Sequence, residues 1–138
     1  VVLTADHGLL DADGEETHWL LPGDELAECL SRAPSGDARE VYFALKHGQG
    51  PTFRARFAAK FEGRFLLLTT DEAEELDLFG PETLSSVSRQ RLGDLVAVST
   101  GRDVIRYRWP DDPVSTKRYR SHHSGLTPDE MRVPLIVF

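Results

Sequence analysis

Side chains able to ligate a metal or move a proton gather at the two ends of this 138-residue chain. Near the start, Val1-Val2-Leu3-Thr4-Ala5-Asp6-His7-Gly8 is an apolar run that stops at a carboxylate, an imidazole and a glycine. A buried parallel strand can carry polar groups only where it ends, at the carboxyl edge of its sheet. Adjacent strand residues point to opposite faces, so Asp6 and His7 reach one ion only if the backbone turns, and Gly8 permits that turn. Near the other end, Ser121-His122-His123-Ser124-Gly125-Leu126-Thr127-Pro128-Asp129-Glu130-Met131 precedes a second apolar run, Val133-Pro134-Leu135-Ile136-Val137-Phe138. Asp and His offer an oxygen-and-nitrogen donor set that suits zinc and also admits manganese or iron.

In this order, and with 116 positions between His7 and His123, the two segments resemble the C-terminal portion of the alkaline phosphatase superfamily. The closer likeness is to its nucleotide pyrophosphatase/type I phosphodiesterase branch, in which a T-A-D-H-G strand end is followed by H-x-G-L-T/S-P-x-E-M just before the last strand. The resemblance implies a metal-dependent phosphodiesterase in which two divalent ions, zinc or alternatively manganese, clamp the attacking and leaving oxygens, with a Thr or Ser nucleophile. It matches Asp6 and His7 to the ion that activates the nucleophile and His123 to the second ion. His122 occupies the neighbouring slot and is not expected to be a ligand. The nucleophile and the remaining ligands are expected upstream of Val1, so the chain reads as a C-terminal portion that is inactive by itself. The whole enzyme would pass through a covalent phospho-enzyme; its substrate would be a phosphate ester or nucleotide.

Composition sets wider bounds. With 40% hydrophobic and 28% charged residues the chain is an ordinary globular sequence, long enough to bury a core. A formal charge of −7 disfavours nucleic-acid binding and repels a phosphate ester at long range. Two bound divalent ions would reverse that sign locally. The basic stretch Lys117-Arg118-Tyr119-Arg120 has a solvated loop as its plain reading; the functional one makes Arg118, Arg120 and His122 contacts to substrate phosphate. Cys29 is the one cysteine, which excludes an internal disulfide and suits a buried helix position. No signal peptide or membrane-length apolar run is visible, so cytoplasm is the favoured compartment and no membrane partner is expected.

Between the two ends, strand and helix patterns alternate. Residues 24–33 read as a helix capped by Asp24, 40–46 as a strand, and 52–62 as a helix that stacks Phe53, Phe57 and Phe61 on one face. Strand 64–70 leads to a short helix with Asp71 as N-cap and Glu74 in the capping-box position. The polar stretch to Arg91 reads as irregular or one helical turn, and strands follow at 95–99 and 103–109. Along the last of these, Tyr107 and Trp109 should face the core while Arg106 and Arg108 stay exposed; the competing reading is a base-stacking surface. His18 and Trp19 follow an acidic turn (Asp11, Asp13, Glu15, Glu16) that is a solvated turn rather than a calcium loop, because the remaining ligands of such a loop are missing.

The expected architecture is α/β, the C-terminal part of an alkaline-phosphatase-like sheet with a small α+β insertion. Residues 1–23 would carry the first metal corner, 24–109 the insertion or cap, and 110–138 the metal-histidine loop and last strand. Other superfamily chemistries remain open, namely phosphomonoester, phosphonoacetate or sulfate ester hydrolysis, as does a non-catalytic binding or assembly domain.

Overall fold

The computed structural model describes residues 1–12, 16–108 and 119–138, which form a mixed α/β chain. Its centre is a four-stranded antiparallel sheet of β4 (Ser35–Asp37), β5 (Glu40–Phe43), β7 (Leu95–Ser99) and β6 (Phe65–Thr69), in that spatial order. Helix α2 (Gly50–Phe61) links β5 to β6, which run parallel to each other with β7 between them. Period-2 alternation sends Val41, Phe43, Phe65, Leu95 and Ala97 toward α2, and Leu68, Val96 and Val98 to the opposite face. Helix α3 (Thr70–Glu75) and Phe79 cover that second face, so all five residues of β7 are buried.

Helix α2 bears out the phenylalanine pattern. Pro51 lies in its first turn, where a missing N–H breaks no helical hydrogen bond. Phe53, Phe57 and Phe61 are buried, with the Phe57 and Phe61 rings 4.4 Å apart and Phe61 meeting Phe65 edge-on at 5.1 Å. Each such ring is worth roughly 1.5–3 kcal/mol on burial, so this cluster is a main source of cohesion.

Several local expectations are corrected. Helix α1 spans only Glu25–Glu28, because after it Ser31 N–H turns to Ala44 O and Leu30 bridges Leu45, drawing the chain onto the sheet edge. The capping box of α3 stands two residues earlier than the sequence pattern puts it: Thr69 Oγ1 accepts from Glu72 N–H at 3.0 Å, and Glu72 accepts from Thr69 N–H at 2.6 Å. Both versions satisfy the motif, and burial of Thr70 and Ala73 decides between them. The polar stretch contains α4 (Ser86–Leu92), capped by Ser85.

The chain ends also differ from expectation. Strand β1 (Val2–Thr4) is not a buried parallel strand; it pairs antiparallel with β10 (Leu135–Val137), and both are exposed. No other described strand pairs with either of them. Strand β3 (Thr17–Leu20) pairs in parallel with β8 (Val104–Tyr107), and His18 is a paired inward-facing residue, its Nε2 2.6 Å from Asp103 Oδ1. Tyr107 packs against the core, as expected, while the Arg106 and Arg108 guanidinium carbons lie 5.4 and 5.7 Å from the Trp19 ring centre. Trp109 lies outside the described residues, and so do Asp13 and Glu15. Among the described residues, no helix is long and apolar enough to cross a membrane.

Candidate functional site

Two short antiparallel ladders fasten the ends of the sequence together. Beyond the β1–β10 pair, β2 (Leu10–Asp11) pairs with β9 (Ser121–His122), Leu10 opposite His122. The corner Asp6-His7-Gly8 lies between these ladders, facing the loop from His123 to helix α5 (Pro128–Met131). Gly8 N–H donates to Glu130 O at 2.8 Å. Gly8 does not need a positive φ; it is required by space, since a Cβ there would collide with the Asp129 carbonyl.

The structure brings His7 and His123 into stacked contact, ring centres 3.9 Å apart and planes inclined by 17°. His7 Nδ1 lies 2.8 Å from Gly8 O, an acceptor, so Nδ1–H donates to it. Asp6 Oδ2 is 3.6 Å from His7 Nε2. On the other side, His123 Nδ1 is 2.8 Å from Ser124 Oγ, which itself donates to Asp37 Oδ2 at 3.0 Å. The serine proton being committed to Asp37, Oγ accepts from His123 Nδ1–H. In both imidazoles Nδ1 is thus engaged by a backbone or hydroxyl oxygen, which leaves Nε2 as the nitrogen a metal would take. Among the described residues, no three His, Cys, Asp or Glu side chains form a group that could hold an ion, so Asp6, His7 and His123 stop short of a complete set.

Beneath the loop lies a buried ion pair that the sequence reading missed. Arg39 and Glu130 side chains are 0% and 1% exposed. Arg39 Nε and Nη2 both donate to the Glu130 carboxylate, the latter at 2.7 Å, and Arg39 also reaches Gly101 O and Asp103 O. Glu130 accepts further from Gly125 N–H at 2.8 Å and the Thr127 hydroxyl at 2.5 Å. Burial alone would push the Glu130 carboxyl up, but Arg39, Thr127 and Gly125 N–H outweigh it and hold it below the usual carboxylate range. Gly125 has no room for a side chain, since a Cβ would stand 2.6 Å from Arg39 Nη2. Thr127-Pro128-Asp129-Glu130 carries the S/T-x-x-E helix-start signature, so Glu130 was open to discovery from sequence; nothing near Arg39 announced it.

The other candidates separate. His122 is half-buried, and desolvation, aided by Arg106 and Arg39, pushes its imidazole below the ordinary value. Arg120 is exposed, its backbone carbonyl accepting from Ala12 N–H. Arg118 lies outside the described residues.

No family model and no curated protein sequence matches the chain. Solved structures do. Human ectonucleotide pyrophosphatase/phosphodiesterase 5 aligns with 98% of this chain at a TM-score of 0.64 and 14% identity, and its murine counterpart with 97% at 0.63 and 15%. Phosphonoacetate hydrolase from Sinorhizobium meliloti 1021, in complex with phosphonoacetate, aligns with 98% at 0.63 and 20% identity. The chain spans about a third of these proteins, 32% of the first two and 35% of the third. The likeness is one of fold: this chain has the fold of part of these proteins, an alkaline-phosphatase-like α/β fold, as its two terminal segments led one to expect.

Proposed function

We propose that this chain is the C-terminal portion of a metal-dependent phosphodiesterase or nucleotide pyrophosphatase, with Asp6 and His7 holding one divalent ion and His123 a second. The observation that carries the reading is the apposition of His7 and His123, 116 positions apart in sequence, with the Nδ1 of each ring held by an oxygen and the Asp6 carboxylate 3.6 Å from His7 Nε2. A pair of such ions, commonly zinc and about 3.5–4 Å apart, stabilises the attacking and leaving oxygens of a phosphoryl transfer. The chain's own residues then present nitrogen and carboxylate donors, while the exposed Arg120 offers positive charge for a phosphate. The nucleophile and the missing ligands belong to sequence outside this chain, so the 138 residues alone are inactive.

A second reading stays alongside: the TM-score to a phosphonoacetate hydrolase, 0.63, equals that to the murine phosphodiesterase, and the identity is 20% against 15%, so fold does not choose between phosphate ester and phosphonate. The parent protein, loaded with zinc or manganese, should be assayed on an aryl phosphodiester, a dinucleotide and phosphonoacetate. Phosphodiester turnover that requires the metal is expected. Turnover of phosphonoacetate alone would select the second reading, and turnover of none would overturn both.

A further inference from the structure

The hairpin turn between β4 and β5 touches the His123 loop at two independent points. Asp37, the last residue of β4, accepts from Ser124 Oγ, and Arg39, in the turn, holds Glu130. The turn is itself bolted to the core: Ile105 N–H donates to Ala38 O at 2.7 Å and Ser99 N–H to Arg39 O at 2.8 Å. We propose that Asp37 and Arg39 are positioning residues for His123: Asp37, through Ser124, fixes which imidazole nitrogen carries the proton, and Arg39, through Glu130, fixes where the loop stands.

A hydroxyl has one proton, and its direction decides the tautomer of anything it touches. With Asp37 in place the Ser124 proton points away from His123, which must then donate from Nδ1. Ser124 adopts a left-handed backbone conformation, φ 79°, which folds its Oγ back beside its neighbour's ring. Without the Asp37 acceptor the hydroxyl is free to rotate and donate to Nδ1, moving the imidazole proton to Nε2, the nitrogen a metal would need. Arg39 acts at longer reach. Its bonds to Glu130, Gly101 and Asp103 tie the loop base to the ends of β7 and β8, and Glu130 O in turn holds Gly8 at the His7 corner. Outer residues of this kind commonly change metal affinity by about 10–100-fold. The functional meaning rests on the proposal that His123 is a ligand; the geometry does not.

The test uses the metal-free protein, labelled with nitrogen-15, in mildly alkaline buffer. Two-bond proton–nitrogen spectra should show His7 and His123 protonated at Nδ1. Asp37→Ala and Ser124→Gly should shift His123 toward the Nε2–H form while His7, held by Gly8 O, stays unchanged. Glycine at 124 suits the left-handed backbone, and Asp37→Asn, which keeps an oxygen acceptor, should restore the wild-type spectrum. A His123 spectrum indifferent to both substitutions would overturn the Asp37 half.

Replacing the ion pair by Arg39→Met with Glu130→Met should leave the His123 tautomer alone and abolish the cross-peak between the two imidazole rings. If that double variant does not fold, Thr127→Val, which removes one donor to Glu130 and spares the pair, should weaken the same cross-peak. Persistence of the full cross-peak in a folded variant would overturn the Arg39 half. Zinc titration separates this from the functional reading. Failure of the parent protein to bind zinc would sink the ligand assignment and leave the tautomer and ring-contact results standing.

Discussion

Gly8 packs against the backbone of Asp129 with no space left for a β-carbon, so the first potential ligand corner and the start of helix α5 are in direct main-chain contact across 121 positions of sequence. The hydrogen bond from Gly8 N–H to Glu130 O completes the junction. Gly8→Ala should therefore force the two segments apart. Overpacking of this kind costs about 1–3 kcal/mol, and the contact between the His7 and His123 rings should be lost with it. Urea unfolding would measure the first effect; an unchanged midpoint would contradict the close approach.

His7→Ala and His123→Ala should leave the fold intact, since His7 and His123 stack at the surface-facing corner and neither belongs to the apolar core. In the parent protein each should reduce phosphodiester turnover by at least about 100-fold, because changes one shell further out already cost ~10–100-fold. Circular dichroism with steady-state kinetics at limiting zinc checks both halves. Near-normal turnover by either variant would remove that histidine from the proposed ligand set.

Glu130 makes stability depend on acid. Its carboxyl is held below the ordinary value of 4.5, so the folded state favours the ionised form more than the unfolded state does. The stabilisation is fully present above that ordinary value and is lost as pH falls through the lower folded value. Glu130→Gln leaves Arg39 buried and unpaired, a change that costs about 3–5 kcal/mol near neutrality. The gap between wild type and Glu130→Gln should shrink as pH drops below 4.5. Denaturation curves at several pH values would show it, and a pH-independent gap would mean that the pair is not ionised in the folded chain.

Cohesion should come from rings rather than from metal. Phe57 is 3% exposed and meets Phe53 and Phe61, with Phe43 and Phe65 edge-on to it. Phe57→Ala should cost about 3–5 kcal/mol. A chelator, by contrast, should leave the melting temperature of the chain where it was, because a structural metal is one whose removal unfolds the domain. A large downward shift with chelator would assign the ion a folding role.

The two terminal segments were legible because their chemistry is local: an apolar run broken by Asp-His-Gly, and a His-rich loop leading into a helix start, each fit within about ten residues. Helix α2 was legible for the same reason, since a repeat of phenylalanine every fourth residue is a helix face by geometry alone. The capping box of α3 was seen but misplaced, because both Thr69 and Asp71 satisfy the local rule and only the burial of Thr70 and Ala73 distinguishes them.

What sequence could not reveal is who stands opposite whom. Nothing near Arg39 foretells Glu130, 91 positions away, or that Asp37 would set the proton on His123 through a serine. These contacts depend on strand pairing that brings the β4–β5 turn under the last loop, and long-range pairing leaves no periodic trace in either partner. The exposed β1–β10 ribbon shows the converse. Its residues read as buried strand because they are apolar, but burial depends on what surrounds them. The sequence by itself determined which residues could do chemistry; tertiary structure decided which of them faced one another, because that follows from packing between segments that are remote in the chain.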